Sequence, residues 1–176
     1  LKELKKRKPD EKSPFRARVA IVGSEIDDPD LTKLIEGCGA LVVSDRFCFG
    51  STPGREVIEL KDDEDALRQI CLHVMEHSEC ARYIADEKVL QRRETADRLA
   101  KEYKAEGIIY EQMKYCDYWG FERALASHIM HDEYGWPVLS IDRLYNNGNS
   151  GQLRTRVQAF VESLEIKRIH KEEGKA

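Results

Sequence analysis

Five cysteines, Cys38, Cys48, Cys71, Cys80 and Cys116, are the side chains of this 176-residue chain best suited to nucleophilic or soft-metal chemistry. Their number is odd and no two form a CxxC pair. That pattern is not a secreted disulfide framework, and it fits a reducing cytoplasm. Cys116 stands in EQMKYCDYWGFE, between a short apolar run and a helical pattern. A thiol at such a junction can fill a core, attack an electrophile or hold a metal.

Which of these applies depends on the elements that place it. Val19–Val22, Ala40–Val43, Ile108–Tyr110 and Pro137–Ile141 are short apolar runs, as expected of strands buried on both faces. Helical patterns separate them. Pro29–Glu36 reads as a helix that Asp28 can cap, with Pro29 suited to its first position. Glu64–His77 repeats Ala66, Leu67, Ile70, Cys71, Val74 and Met75 along one stripe. Further helices are expected at Asp86–Ala105 and Trp119–Asp132, with a last one after Asn147-Gly148. Strands alternating with helices predict right-handed parallel βαβ units. The fold class is therefore α/β: a three-layer flavodoxin-like domain over 19–168. It has about four parallel strands, helices on both faces, and a helical insertion between strands two and three. Residues 1–18, with eight basic and three acidic side chains and two prolines, read as a linker or arm from a preceding domain. Residues 169–176 read as a charged tail.

In such sheets ligands bind beyond the carboxyl ends of the strands. That rule sorts the cysteines. Cys71 falls on a helical apolar stripe and is expected to be a buried small hydrophobe. Cys38 falls at the amino edge, and Cys80 lies in a polar segment with no role assigned. Cys48 and Cys116 both fall at the carboxyl edge, after strands two and three. Asp117 is placed to cap the helix that follows Cys116, and a helix N-terminus favours a thiolate. In the strand order 2-1-3-4 these two cysteines flank strand one, about 10 Å apart. That is too far for a disulfide but a plausible span around an iron–sulfur cluster. The histidines are placed differently. His73, His77, His128, His131 and His170 lie in helical patterns or the tail, which counts against a Cys-His hydrolase. His128, His131 and Asp132 share a helical face, read as solvated rather than metal-binding.

The loop after strand one, Gly23-Ser24-Glu25-Ile26-Asp27-Asp28, carries three acidic side chains where a flavodoxin cradles phosphate. No flavin is therefore expected. The glycine pattern of a dinucleotide site or P-loop is absent. A net charge of −4 and a pI near 5.8 argue against a general nucleic-acid binder. No apolar run approaches the ~18 residues of a membrane span.

The segments GSEIDDP, VVSDRFCFGS, GIIYEQMKYCDYWGFE and SGQLRTRVQAFVE resemble the C-terminal domain of the 2-hydroxyacyl-CoA dehydratase and ATP-dependent benzoyl-CoA reductase family. The resemblance covers roughly residues 17–168. Its most specific marks are the Cys-Asp after strand three and the Gly-Gln-x-x-Thr-Arg opening of the last helix. CDYWGFE and FCFGS look closer to the benzoyl-CoA reductase branch.

The resemblance implies a [4Fe-4S] cluster held between domains, with Cys116 as a ligand and Cys48 as a further candidate. The other ligands have no counterpart in this chain, which is not expected to complete the cluster or act alone. Phe47, Tyr118 and Trp119 can line an acyl pocket or pack in a core, and Ser24 and Glu25 are further substrate-facing candidates. Arg154 and Arg156 are expected to pair with surface carboxylates rather than with CoA phosphates. The implied chemistry is single-electron reduction of an acyl-CoA thioester, fed by an ATP-hydrolysing iron–sulfur activator within a complex of several subunits. In the reductase branch an aromatic acyl-CoA is dearomatised. The alternatives are a 2-hydroxyacyl-CoA dehydratase subunit with the same cluster, and a non-catalytic flavodoxin-like interaction domain.

Overall fold

A computed structural model describes residues 2–8, 15–24, 26–27, 29–47, 57–145 and 150–174. Four parallel strands, β1 (Ala17–Gly23), β2 (Ala40–Arg46), β3 (Gly107–Met113) and β4 (Val138–Arg143), form one sheet in the order β2-β1-β3-β4. Strands one and three are inner strands, and their long apolar runs are the most continuously buried. β2 and β4 are the edges, and most of their residues are only half-buried.

Strand alternation sends successive side chains to opposite faces, and each face has its own core. Val19 and Ile21 face the layer of α1 (Asp30–Glu36) and α5 (Ser150–Glu172), where Leu31, Ile35, Val157 and Val161 meet Ile109 and Ile141. Ala20 and Val22 face the layer of α3 (Asp86–Glu102) and α4 (Asp117–Asp132), where Ala96, Ala100, Trp119, Ala126 and Met130 meet Ile108 and Tyr110. The expected three-layer α/β fold is therefore present. The parallel pairs β1–β2 and β1–β3 place β1 between the strands that precede Cys48 and Cys116.

Two buried ionic clusters lie on the α3/α4 side. Arg46, at the end of β2, donates to Glu79 at 2.5 Å and lies 5.8 Å over the Trp119 ring. Arg92 donates to Glu122 at 2.8 Å, and Arg93 stands 3.6 Å from the same carboxylate.

Several local expectations are corrected. α2 (Ala66–Glu76) has the predicted amphipathic stripe, but none of its residues is buried: Leu67 is 68% and Met75 62% exposed. Cys71 is accordingly exposed, not a core residue. Its helix is amphipathic, but no described element covers that face. Pro29 is the N-cap of α1 rather than its first residue, and Asp28 lies outside the described residues. Asp117 is the first helical residue of α4, with Cys116 itself at the N-cap and no side-chain cap bond. Arg156 donates to the Ser140 carbonyl rather than to a carboxylate.

Candidate functional site at the carboxyl edge of the sheet

Three strand ends converge on one buried carboxylate. Glu111 continues the apolar run of β3 with its side chain on the same face as Ile109, and it is 0% exposed. Ser24, just past β1, donates its hydroxyl to Glu111 Oε2 at 2.8 Å. Arg143, the last residue of β4, donates Nε to Glu111 Oε1 at 3.0 Å. Burial pushes the Glu111 carboxyl up to about 7, although the Ser24 hydrogen bond and the Arg143 charge pull it down. The close approach of the strands depends on Gly23. A Cβ there would stand 2.1 Å from the Glu111 carbonyl oxygen.

The same network reaches the segment between β3 and α4. The Met113 amide donates to the Ser24 hydroxyl, and the Met113 carbonyl accepts from the Cys116 amide at 3.1 Å. The Lys114 amide donates to the Arg143 carbonyl at 2.7 Å. Tyr115 takes φ 75° and is 89% exposed, so a strained non-glycine residue immediately precedes Cys116. The Cys116 carbonyl accepts from Gly120 N at 2.9 Å and from Gln112 Nε2 at 3.2 Å. Gln112 in turn accepts from Arg123 Nε at 2.9 Å.

Cys116 is half-buried against the α3/α4 core, at the end of the sheet where ligands of such folds bind. Its thiolate would be a soft donor suited to iron. Among the described residues no group of three or more His, Cys, Asp or Glu is placed to hold a metal ion. Among the described residues the donor chemistry therefore fits one corner of a cluster, at Cys116.

The other expected site residues are dispersed. Cys48 and Glu25 lie outside the described residues. Phe47 packs against the α1/α5 core, Trp119 is 1% exposed in the opposite core, and Tyr118 is half exposed. Ser24 does lie at the carboxyl edge, turned inward onto Glu111. Cys38 is buried, and burial pushes its thiol up. His128 and His131 are exposed and flank Asp132 at 3.0 and 2.8 Å, as a solvated cluster. No helix among the described residues is long and apolar enough to cross a membrane.

Glu111 and Arg143 did not stand out in the sequence. Their signal was a charged residue two places after an apolar one on the buried face of a strand: Ile109 before Glu111, and Ile141 before Arg143.

The provisionally named dehydratase subunit YjiM of Escherichia coli is 26% identical over 152 residues, covering 85% of this chain and 38% of that protein. The (R)-phenyllactyl-CoA dehydratase beta subunit of Clostridium sporogenes is 29% identical over 155 residues, covering 88% and 40% respectively. The chain thus spans about two fifths of the length of these curated relatives. The relatives favour the dehydratase alternative over the reductase branch suggested by CDYWGFE. The family model for the 2-hydroxyglutaryl-CoA dehydratase D-component matches residues 1–164, and the chain belongs to that family.

Proposed function

We propose that this chain is part of a 2-hydroxyacyl-CoA dehydratase subunit, and that Cys116 supplies one ligand to a [4Fe-4S] cluster completed by residues outside it. The family match across residues 1–164 carries the dehydratase reading, and the place of Cys116 at the carboxyl edge of the sheet, at the N-cap of α4, supports its part as a ligand. The name of the Clostridium sporogenes relative supports a 2-hydroxyacyl thioester as the substrate class. The overall reaction removes the 2-hydroxyl and a 3-hydrogen as water and leaves a 2,3-enoyl thioester. When bound, such a cluster supplies low-potential electrons to the thioester.

This chain's own residues hold and orient. Cys116 presents its sulfur from the N-cap of α4, fixed through both of its backbone polar groups. The buried Ser24–Glu111–Arg143 network braces the strand ends behind it. Other subunits and an ATP-hydrolysing iron–sulfur activator are the partners this chemistry requires. Reduction of an aromatic acyl-CoA is the second reading, resting on the CDYWGFE and FCFGS segments.

The test is an anoxic assay of the full-length protein with its partner subunits and activator, on 2-hydroxyacyl-CoA thioesters and on benzoyl-CoA. Formation of an enoyl-CoA only from the former is expected. Turnover of benzoyl-CoA alone would transfer the assignment to the reductase branch. Iron content of Cys116→Ala checks the ligand, and unchanged cluster occupancy would refute it.

A further inference from the structure

We propose that Glu111 is a positioning residue, which through Ser24 and Arg143 locks the segment from Met113 to Cys116 and so sets where the Cys116 sulfur lies. The inference rests on the reading of Cys116 as a ligand and goes beyond it by naming what places that ligand.

The connection is short and continuous. Glu111 anchors Ser24 at 2.8 Å, and Ser24 accepts the Met113 amide. Met113 spends its carbonyl on the Cys116 amide at 3.1 Å. Two hydrogen bonds therefore separate the Ser24 hydroxyl from the backbone of Cys116. A second route runs through the other carboxylate oxygen: Glu111 holds Arg143 at 3.0 Å, and the Arg143 carbonyl accepts the Lys114 amide. The Arg143 guanidinium also reaches the carbonyls of Leu144 and Tyr145, each at 3.4 Å. One carboxylate thus ties the exits of β1, β3 and β4.

The site has a physical need for this brace. Tyr115 sits in the left-handed region at φ 75°, a conformation that persists only where its surroundings over-determine it. Tyr115 is itself 89% exposed, so little packing by its own side chain holds that geometry. The restraint comes from Met113, Lys114 and Cys116 on either side. Glu111 is 0% exposed, so it acts on the sulfur through the backbone and not by contact with a substrate.

The experiment compares wild type, Glu111→Ala, Glu111→Gln and Ser24→Ala in the full-length subunit. Two quantities are read: the rate of Cys116 alkylation by iodoacetamide in metal-free protein, followed by peptide mass spectrometry, and iron retention after anoxic reconstitution. Thermal unfolding of each variant is followed in parallel. Glu111→Ala and Ser24→Ala are expected to change the Cys116 alkylation rate and to weaken cluster retention by about tenfold. Glu111→Gln keeps the side-chain shape, with an oxygen that can still accept from Arg143 Nε and an amide nitrogen that can donate to the Ser24 oxygen, and is expected to restore near-wild-type values. Wild-type alkylation and retention in both alanine variants would overturn the proposal. So would equal defects in Glu111→Gln and Glu111→Ala, since the carboxyl shape would then be irrelevant. If Glu111→Ala does not fold, Ser24→Ala decides alone. Unchanged iron in Cys116→Ala would remove the ligand reading, while the alkylation rates would still judge the positioning.

Discussion

The Ser24 hydroxyl donates to Glu111 Oε2 at 2.8 Å across the seam between β1 and β3, where neither residue is more than 2% exposed. A carboxylate in that setting is caught between opposing effects. Desolvation favours the neutral acid, whereas the Ser24 bond and the Arg143 guanidinium favour the anion. Desolvation wins, and the carboxyl rises from 4.5 to about 7.

The raised value makes a signed prediction about stability. The native state holds this proton more tightly than the unfolded chain, so the stability it contributes is complete below pH 4.5 and lost as pH rises to about 7. At about 1.36 kcal/mol per unit the loss is on the order of 3 kcal/mol. Glu111→Gln keeps the shape and removes the titration. Urea unfolding across this window is expected to show the variant gaining on wild type as pH rises. A difference independent of pH would contradict the assignment.

Gly23 sets how closely β1 and β3 approach at this point. A Cβ would meet the Glu111 carbonyl oxygen at 2.1 Å and its carbon at 2.8 Å, and backbone cannot step aside as a side-chain tip can. Gly23→Ala is expected to cost about 4 kcal/mol or more, or to prevent folding. Chemical denaturation of this variant beside Gly107→Ala is informative. At Gly107 the nearest atoms belong to the Phe160 and Leu164 side chains, which can shift, so the loss there is expected to be smaller.

The strands were legible because continuous apolar runs have few other uses in a chain of this composition, and their order followed from the usual plan of a flavodoxin-like sheet. The carboxyl-edge position of Cys116 followed from that order. The burial of α2 was not legible in the same way. Leu67, Ile70, Val74 and Met75 show which face seeks burial, but periodicity carries no information about what covers it. Glu111 was hidden for a related reason. Taken alone, an acidic residue after Ile108-Ile109-Tyr110 reads as the end of a strand. Its meaning appears only when Ser24 and Arg143, 87 and 32 residues away, close on it.

Among the described residues, Glu122 is the carboxylate that faces both Arg92, at 2.8 Å, and Arg93, at 3.6 Å, with Arg92 3% and Glu122 7% exposed. Removing it strands buried positive charge. Glu122→Ala is expected to lose about 3–5 kcal/mol. Glu102 pairs with Arg98 at 3.8 Å in the open, at more than half exposure on both sides. Glu102→Ala should change stability by less than about 1 kcal/mol. Equal losses for the two in urea unfolding would mean that burial is not what gives the Glu122 pair its weight.

Gly120 gives Gln112 access to the Cys116 carbonyl. A Cβ at position 120 would stand 2.8 Å from Gln112 Nε2, the atom that donates to that carbonyl at 3.2 Å. The obstacle is the end of a flexible side chain, so Gly120→Ala is expected to push Gln112 aside rather than break the helix. Alanine also gains about 1 kcal/mol of helix propensity. Net stability should therefore move by no more than about 1 kcal/mol, while the Cys116 segment loosens. Gln112→Ala removes the same hydrogen bond without touching the helix. If both act through this bond, each speeds alkylation of Cys116, and the double variant is no faster than either single one. Additive rates in the double variant would show that Gly120 influences Cys116 by another route.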